Sequence, residues 1–143
     1  MSVMFHLAFP SHDLDQAYDF YIKALGCEAG RRSEHALIIN FFGHQIVAQK
    51  VKALSSQQKG IYPRHFGVVL ASLEAWEALK EQVQDKGLKF YQAPKVRYQG
   101  QALEHYTFFL EDPSHNLLEF KFYSESEAIF GHGEVSSVGE EER

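Results

Sequence analysis

Two imidazoles and one carboxylate, at matched places in short apolar runs, are the residues best suited to chemistry. His6 stands in Phe5-His6-Leu7-Ala8-Phe9 and His65 opens His65-Phe66-Gly67-Val68-Val69-Leu70. Each lies seven residues before a residue able to cap a helix, Asp13 or Ser72. The same offset relates Leu14 to Leu73, Asp15 to Glu74 and Phe20 to Leu79, so the histidines share one position of a repeated strand–helix unit. Glu119 is the one acid in Leu117-Leu118-Glu119-Phe120-Lys121-Phe122, where a carboxylate needs a partner or a proton. Strand alternation puts Leu118, Phe120 and Phe122 on one face and Leu117, Glu119 and Lys121 on the other. The same rule turns Phe5, Leu7, Phe66 and Val68 toward the helices and both histidines away from them. Two imidazoles and a carboxylate form a complete ligand set for a divalent first-row metal. Three protein ligands leave positions open for water or substrate, as catalytic sites do. The plain alternative is a pair of packed histidines beside a glutamate at a strand end.

The elements that must position these groups can be read from periodicity. Residues 4–10 form a strand that stops at Pro10. Asp13 caps a helix, with Gln16 able to complete a capping box. Leu14, Ala17, Tyr18, Tyr21 and Leu25 give that helix one apolar face, and Gly26 ends it. Residues 35–42 and 45–51 are two strands joined at Gly43-His44. Residues 53–63, polar and containing Gly60 and Pro63, link the halves. The order then repeats: a strand over 64–71, a helix capped by Ser72 and ended by Gly87, and a short strand over 88–91. A loop with Pro94 and Gly100 follows, then strands over 106–110 and 116–123 joined at Asp112-Pro113-Ser114. The first half is thus strand, helix and two or three strands, and the second matches it in order. The fold class is α+β, one domain over 1–123 made of two modules, about 3–52 and 64–123, each read as βαβββ. Residues 124–143 turn polar and are expected to be a mobile tail.

With 143 residues the chain can bury a full core without a disulfide or metal staple. The formal net charge of −5, with no basic stripe, argues against a nucleic-acid partner. No apolar run approaches the roughly 18 residues of a membrane span, and the N-terminus lacks the basic region of a signal peptide. The single Cys27 cannot form an intramolecular disulfide and reads as a buried small apolar residue. A cytoplasmic protein with no membrane partner is expected.

The repeated strand–helix–strand–strand–strand unit and the closing hairpin Glu111-Asp112-Pro113-Ser114-His115-Asn116-Leu117-Leu118-Glu119 resemble the vicinal-oxygen-chelate superfamily. That superfamily includes glyoxalases, bleomycin-resistance proteins, fosfomycin-resistance enzymes and extradiol dioxygenases. The resemblance covers about residues 3–123 and implies a cupped, barrel-like mixed sheet around a metal. It implies His6, His65 and Glu119 as metal ligands. Glyoxalases carry a further carboxylate at the end of the first module; aligning Gly43–Ala48 with Ser114–Glu119 puts Ala48 there. No Asp or Glu occurs between His35 and Leu73, so no shift of register supplies one.

A His-His-Glu set with open positions resembles that of extradiol dioxygenases, which favours Fe(II), with Mn, Ni, Zn or Co as other possibilities. The function implied is extradiol-type dioxygenation of a small substrate that chelates the metal through vicinal oxygens. A glyoxalase-like isomerase or lyase is the second reading, and a non-catalytic binding protein like those of bleomycin resistance is the third. Fosfomycin chemistry is set aside because Phe109 stands where those enzymes carry tyrosine, although Thr107 is close to their serine. His105, then Tyr106 and Tyr98, are the candidates for proton transfer. Such chains often form homodimers, and with swapped modules His6 would meet His65 and Glu119 across a subunit boundary.

Overall fold

The computed structural model describes residues 2–54 and 56–139. In the first half, β1 (His6–Ser11) is followed by α1 (Leu14–Tyr18), a π-helical continuation over Asp19–Ala24, β2 (Glu28–Arg32), β3 (Ala36–Phe41) and β4 (His44–Lys50). The second half repeats this with β5 (Phe66–Val69), α2 (Leu73–Asp85), β6 (Phe90–Arg97), β7 (His105–Glu111) and β8 (Leu117–Tyr123). Each half forms one four-stranded mixed sheet, ordered β1-β4-β3-β2 and β5-β8-β7-β6. In each, the first strand pairs parallel with the last, and the remaining pairs are antiparallel.

Capping chemistry sets the helix starts. The Asp13 carboxylate accepts from the Gln16 amide at 3.0 Å, and the Ser72 hydroxyl from the Ala75 amide at 3.1 Å. Gly26 and Gly87 follow the helices at φ +80 and +75, backbone that a Cβ disfavours. The first helix widens so that the Leu25 amide donates to Phe20 O at 3.0 Å. That extra residue per turn brings Phe20 and Ala24 into the buried face and leaves Tyr18 only half-buried.

Four local expectations are corrected. Strand β1 continues through Pro10 to Ser11, because β1 is an edge strand where a missing N–H is tolerated. The β3–β4 hairpin turns at Phe42-Gly43, both at positive φ (53 and 90). Strand β6 runs on through Pro94, an edge position beside a break in the β6–β7 register. Phe5 precedes β1 and is exposed rather than packed on a helix.

The helix-covered faces of both sheets share one core. Phe9 meets Phe66 at 5.5 Å between ring centroids, and Phe41 meets Phe120 at 6.3 Å. Trp76 donates its indole N–H to Phe120 O at 3.0 Å. Polar contacts lash the β7–β8 turn to the first module: Tyr21 donates to Asp112 Oδ2 at 2.7 Å, and Asn116 Nδ2 to Pro10 O at 2.8 Å. Burial pushes the Asp112 carboxyl above its ordinary range, against the bonds that Asn116 and Tyr21 donate to it.

Beyond β8 the polar stretch does not leave the body as far as it is described. A 3₁₀ turn over Ser126–Ile129 buries Ala128, and the chain then runs beside the second sheet to Gly139. Glu140–Arg143, part of the expected tail, lies outside the described residues. Among the described residues no helix is long and apolar enough to cross a membrane.

Candidate metal-binding cup

Strand β8 carries Glu119 between Leu118 and Phe120, which point into the core, so its carboxylate emerges on the opposite face. Parallel pairing sets Gly67 beside Glu119, and His65 immediately precedes β5. His65 Nε2 stands 3.1 Å from Glu119 Oε1. The other imidazole nitrogen, Nδ1, donates to Ile61 O at 2.7 Å. The other carboxylate oxygen, Oε2, accepts from the Thr107 hydroxyl at 2.6 Å.

With Nδ1 committed as donor to a carbonyl, neutral His65 would point its Nε2 electron pair at a carboxylate oxygen. A cation has to lie between them, either a proton or a metal ion. The protein favours the proton there: the hydrogen bond to Glu119 raises the His65 pKa above its usual value, against burial. Burial works against the Glu119 carboxylate, but bonds from His65 and Thr107 together with the Lys121 charge hold its pKa below the ordinary value. The donor set also suits a metal. Two ligands cis to one another at about 2.1 Å from an ion stand roughly 3 Å apart, close to the separation of this pair.

A cavity of about 400 Å³ extends from this pair along the same face of the second sheet. Arg97 and Lys121 line it, with Arg97 over the Phe109 ring at 5.9 Å and Lys121 over the Tyr123 ring at 4.9 Å. His105, 2% exposed, donates Nδ1–H to Leu103 O at 3.0 Å, and its buried Nε2 has no hydrogen-bond partner among the described residues. Burial, aided by Lys121 and Arg97, lowers the His105 pKa, which favours a neutral ring with an unshared electron pair on Nε2.

The residues named from sequence divide into three groups. His65, Glu119, His105 and Tyr98 line this one cavity. Tyr106 does not: it lies on the core side of β7, edge-on to Trp76 at 5.4 Å, and is corrected to a packing residue. His6 sits on the other sheet, exposed, with Nδ1 at 2.7 Å from Gln45 Oε1. Among the described residues no three His, Cys, Asp or Glu side chains gather to hold a metal within one chain. The repeat also corrects one register. Leu7 pairs with Ile46 as Phe66 pairs with Leu118, so Val47, not Ala48, stands where Glu119 stands. Ala48 points into the core, and the conclusion that no carboxylate occupies the place is unchanged.

Sequence reasoning passed over Gly67, set His132 aside with the tail, and gave Arg97 no role beyond its place in the candidate stretch 96–101. A Cβ on Gly67 would meet Glu119 O at 1.7 Å, so only glycine lets β5 lie this close to β8; a glycine inside a short apolar strand was the available signal. Arg97 reaches the cup only because β6 extends past Pro94 to pair with His105. His132, assigned to the tail, lines the cavity with its Nε2 buried and without a hydrogen-bond partner among the described residues.

Comparison with known proteins agrees with this architecture. Residues 3–120 match the family model of the Glyoxalase/Bleomycin resistance protein/Dioxygenase superfamily. A crystal structure of a glyoxalase/bleomycin resistance protein/dioxygenase from Alicyclobacillus acidocaldarius is 40% identical, covering 90% of this chain and 96% of that one, with a TM-score of 0.84. The fosfomycin resistance protein FosX from Listeria monocytogenes shares the fold at 17% identity, covering 90% and 98% of the two chains, with a TM-score of 0.67. No curated protein matches significantly. With two repeated modules, each a mixed four-stranded sheet closed by a parallel edge pair, the chain belongs to the glyoxalase/bleomycin resistance protein/dioxygenase superfamily.

Proposed function

We propose that the chain is a divalent-metal enzyme most like an extradiol-type dioxygenase, acting on a small anionic substrate that binds the metal through vicinal oxygens. It works as a homodimer in which His6 of one copy completes the ligand set begun by His65 and Glu119 of the other. The observation that carries this reading is the His65–Glu119 pair, whose facing electron pairs call for a cation. The exposed side of the first sheet supports the role of a second copy. There His6, Ala8 and Pro10 stand clear of the core, and the Gln45 contact at Nδ1 leaves His6 Nε2 as its ligand nitrogen, as in His65.

Fe(II) is favoured, with Mn, Ni, Zn or Co as alternatives, and the bound ion would supply Lewis acidity and a template for the chelating oxygens. The chain's own groups do the rest. Ile61 and Thr107 fix the two ligands they touch. Arg97 and Lys121 attract and orient negative charge on the substrate, and His105 Nε2 accepts the proton of a substrate hydroxyl.

Elemental analysis of freshly purified protein and of Glu119→Gln tests the metal; oxygen uptake with a catechol and ferrous ion tests the reaction. Stoichiometric metal that Glu119→Gln abolishes, together with oxygen consumption, is the expected result. Metal retained undiminished by Glu119→Gln removes the carboxylate from the site. Turnover with nickel or zinc and without oxygen would make the chain a glyoxalase-like isomerase, against which the apolar Val47 weighs.

A further inference from the structure

The superfamily match ends at residue 120, yet the segment beyond β8 closes one side of the cup. Its start is pinned by buried Ala128 and by the Gly131 amide, which donates to Glu127 O at 2.7 Å. Its far end is clasped by Tyr98, whose hydroxyl donates to Gly139 O at 2.8 Å. Between these anchors the segment carries His132 to the cavity wall, with Nδ1 3.5 Å from Glu134 Oε1 and Nε2 buried without a hydrogen-bond partner among the described residues. His105, on β7 of the second sheet, lines the same cavity and has the same kind of orphaned Nε2. Both residues line one polar cavity, and among the described residues their buried imidazole nitrogens lack the hydrogen-bond partner that buried polar atoms ordinarily have.

We propose that residues 126–139 form a lid over the second-sheet cup and that His132 on this lid, together with His105, grips a small hydroxylated anion lying between them. This rests on the cup being the ligand site, and it adds a contact residue and a closing element to that reading. Arg97 and Lys121 set the sign of the ligand's charge. His105, with Nδ1–H committed to Leu103 O, accepts from a ligand hydroxyl. His65 keeps 24% of its side chain exposed, so the lid leaves the metal-binding end of the cup open to a second copy.

The test uses nitrocatechol, a coloured vicinal diol that is anionic near neutral pH, titrated into metal-free and metal-loaded protein. Four variants are compared with the native chain: His132→Gln, His105→Gln, Ser136→Ala and a chain ending at Ser124. Modification of His105 by diethyl pyrocarbonate, followed by peptide mass spectrometry, reports lid closure without any ligand. The metal-free native chain is expected to bind saturably, and His132→Gln and His105→Gln each weaken binding by about tenfold, the loss of one buried hydrogen bond. Ser136→Ala, on an exposed lid residue, leaves binding unchanged, while truncation weakens it at least as much as His132→Gln and speeds His105 modification several-fold. Binding that survives both His132→Gln and truncation, or His105 modification equally fast with and without the segment, overturns the lid. No saturable binding to the metal-free native chain overturns the grip. Metal uptake is measured alongside; its failure with nitrocatechol binding intact sinks the metal reading and leaves the lid standing.

Discussion

If the third ligand comes from a second copy, two inactive variants should repair one another. His6→Ala removes an exposed side chain on the first sheet, and Glu119→Gln replaces a buried carboxylate by its isostere on the second. Each variant alone has every site broken, and the loss in metal affinity should exceed the roughly 10–100-fold that removal of an outer supporting group costs. In a twofold dimer each site draws His6 from one chain and His65 with Glu119 from the other. A mixed dimer therefore contains one intact site and one site lacking both groups. Equal mixing with free exchange makes about half of the dimers mixed, so about one quarter of all sites are restored. The assay is metal stoichiometry after refolding the mixture, with mixed dimers confirmed by native mass spectrometry. A second mixture, His65→Ala with Glu119→Gln, must recover nothing, because both changes fall in the same half-site. Confirmed mixed dimers with no recovered metal in the first mixture would refute assembly of the site in trans; recovery in the second would refute the pairing of His65 with Glu119.

Two further outcomes follow from local geometry. Gly67→Ala places a Cβ 1.7 Å from Glu119 O, which forces β5 away from β8; the expected result is a melting temperature lower by about 3–10 °C and weakened metal binding, and unchanged metal affinity would remove Gly67 from the site's support. Burial pushes the Cys27 thiol from 9.0 up to about 11, so at pH 8 native Cys27 should react with Ellman's reagent about 100-fold more slowly than in urea; rapid labelling of the native chain would contradict its burial.

The parts of the fold legible in the sequence are those written in local chemistry. Asp13 and Ser72 start helices, and Gly26 and Gly87 end them, because caps and left-handed backbone select few residue types. Alternation in β8 gave the face of Glu119 correctly, since one polar residue stands among large apolar ones. Strand β2 was not resolved because all five of its residues are exposed and only pairing with β3 defines it. Tyr106 was named without a face because Thr107 through Leu110 are buried on both faces, which erases the alternation that would have assigned a side. Ala48 and Val47 were exchanged because matching hairpin motifs ignores the strand register, which only the parallel pairing fixes. Alternation told which face His6 occupies but not which face of which sheet it would meet, since that is decided by how two modules pack.

The repeat is asymmetric in the one place where symmetry would have made each half alike. At the matched position the second module has Glu119 beside Gly67, whereas the first has Val47 beside Ala8. The first half thus offers a single imidazole steadied by an amide, and the second an imidazole with a carboxylate. Neither is a sufficient ligand set alone. The shared core holds both helix-covered faces together within a chain, so the faces that carry His6 and Glu119 look outward from it. On the reading proposed here, a metal ion binds the assembled pair of chains better than either chain alone, and by linkage the ion favours assembly. At a free-ion concentration 100 times the dissociation constant that preference is worth about 2.7 kcal/mol per site. On the same reading a carboxylate at position 47 would fill one more coordination position, and the valine would keep it available to water or substrate, the property that separates a reactive metal centre from a structural one.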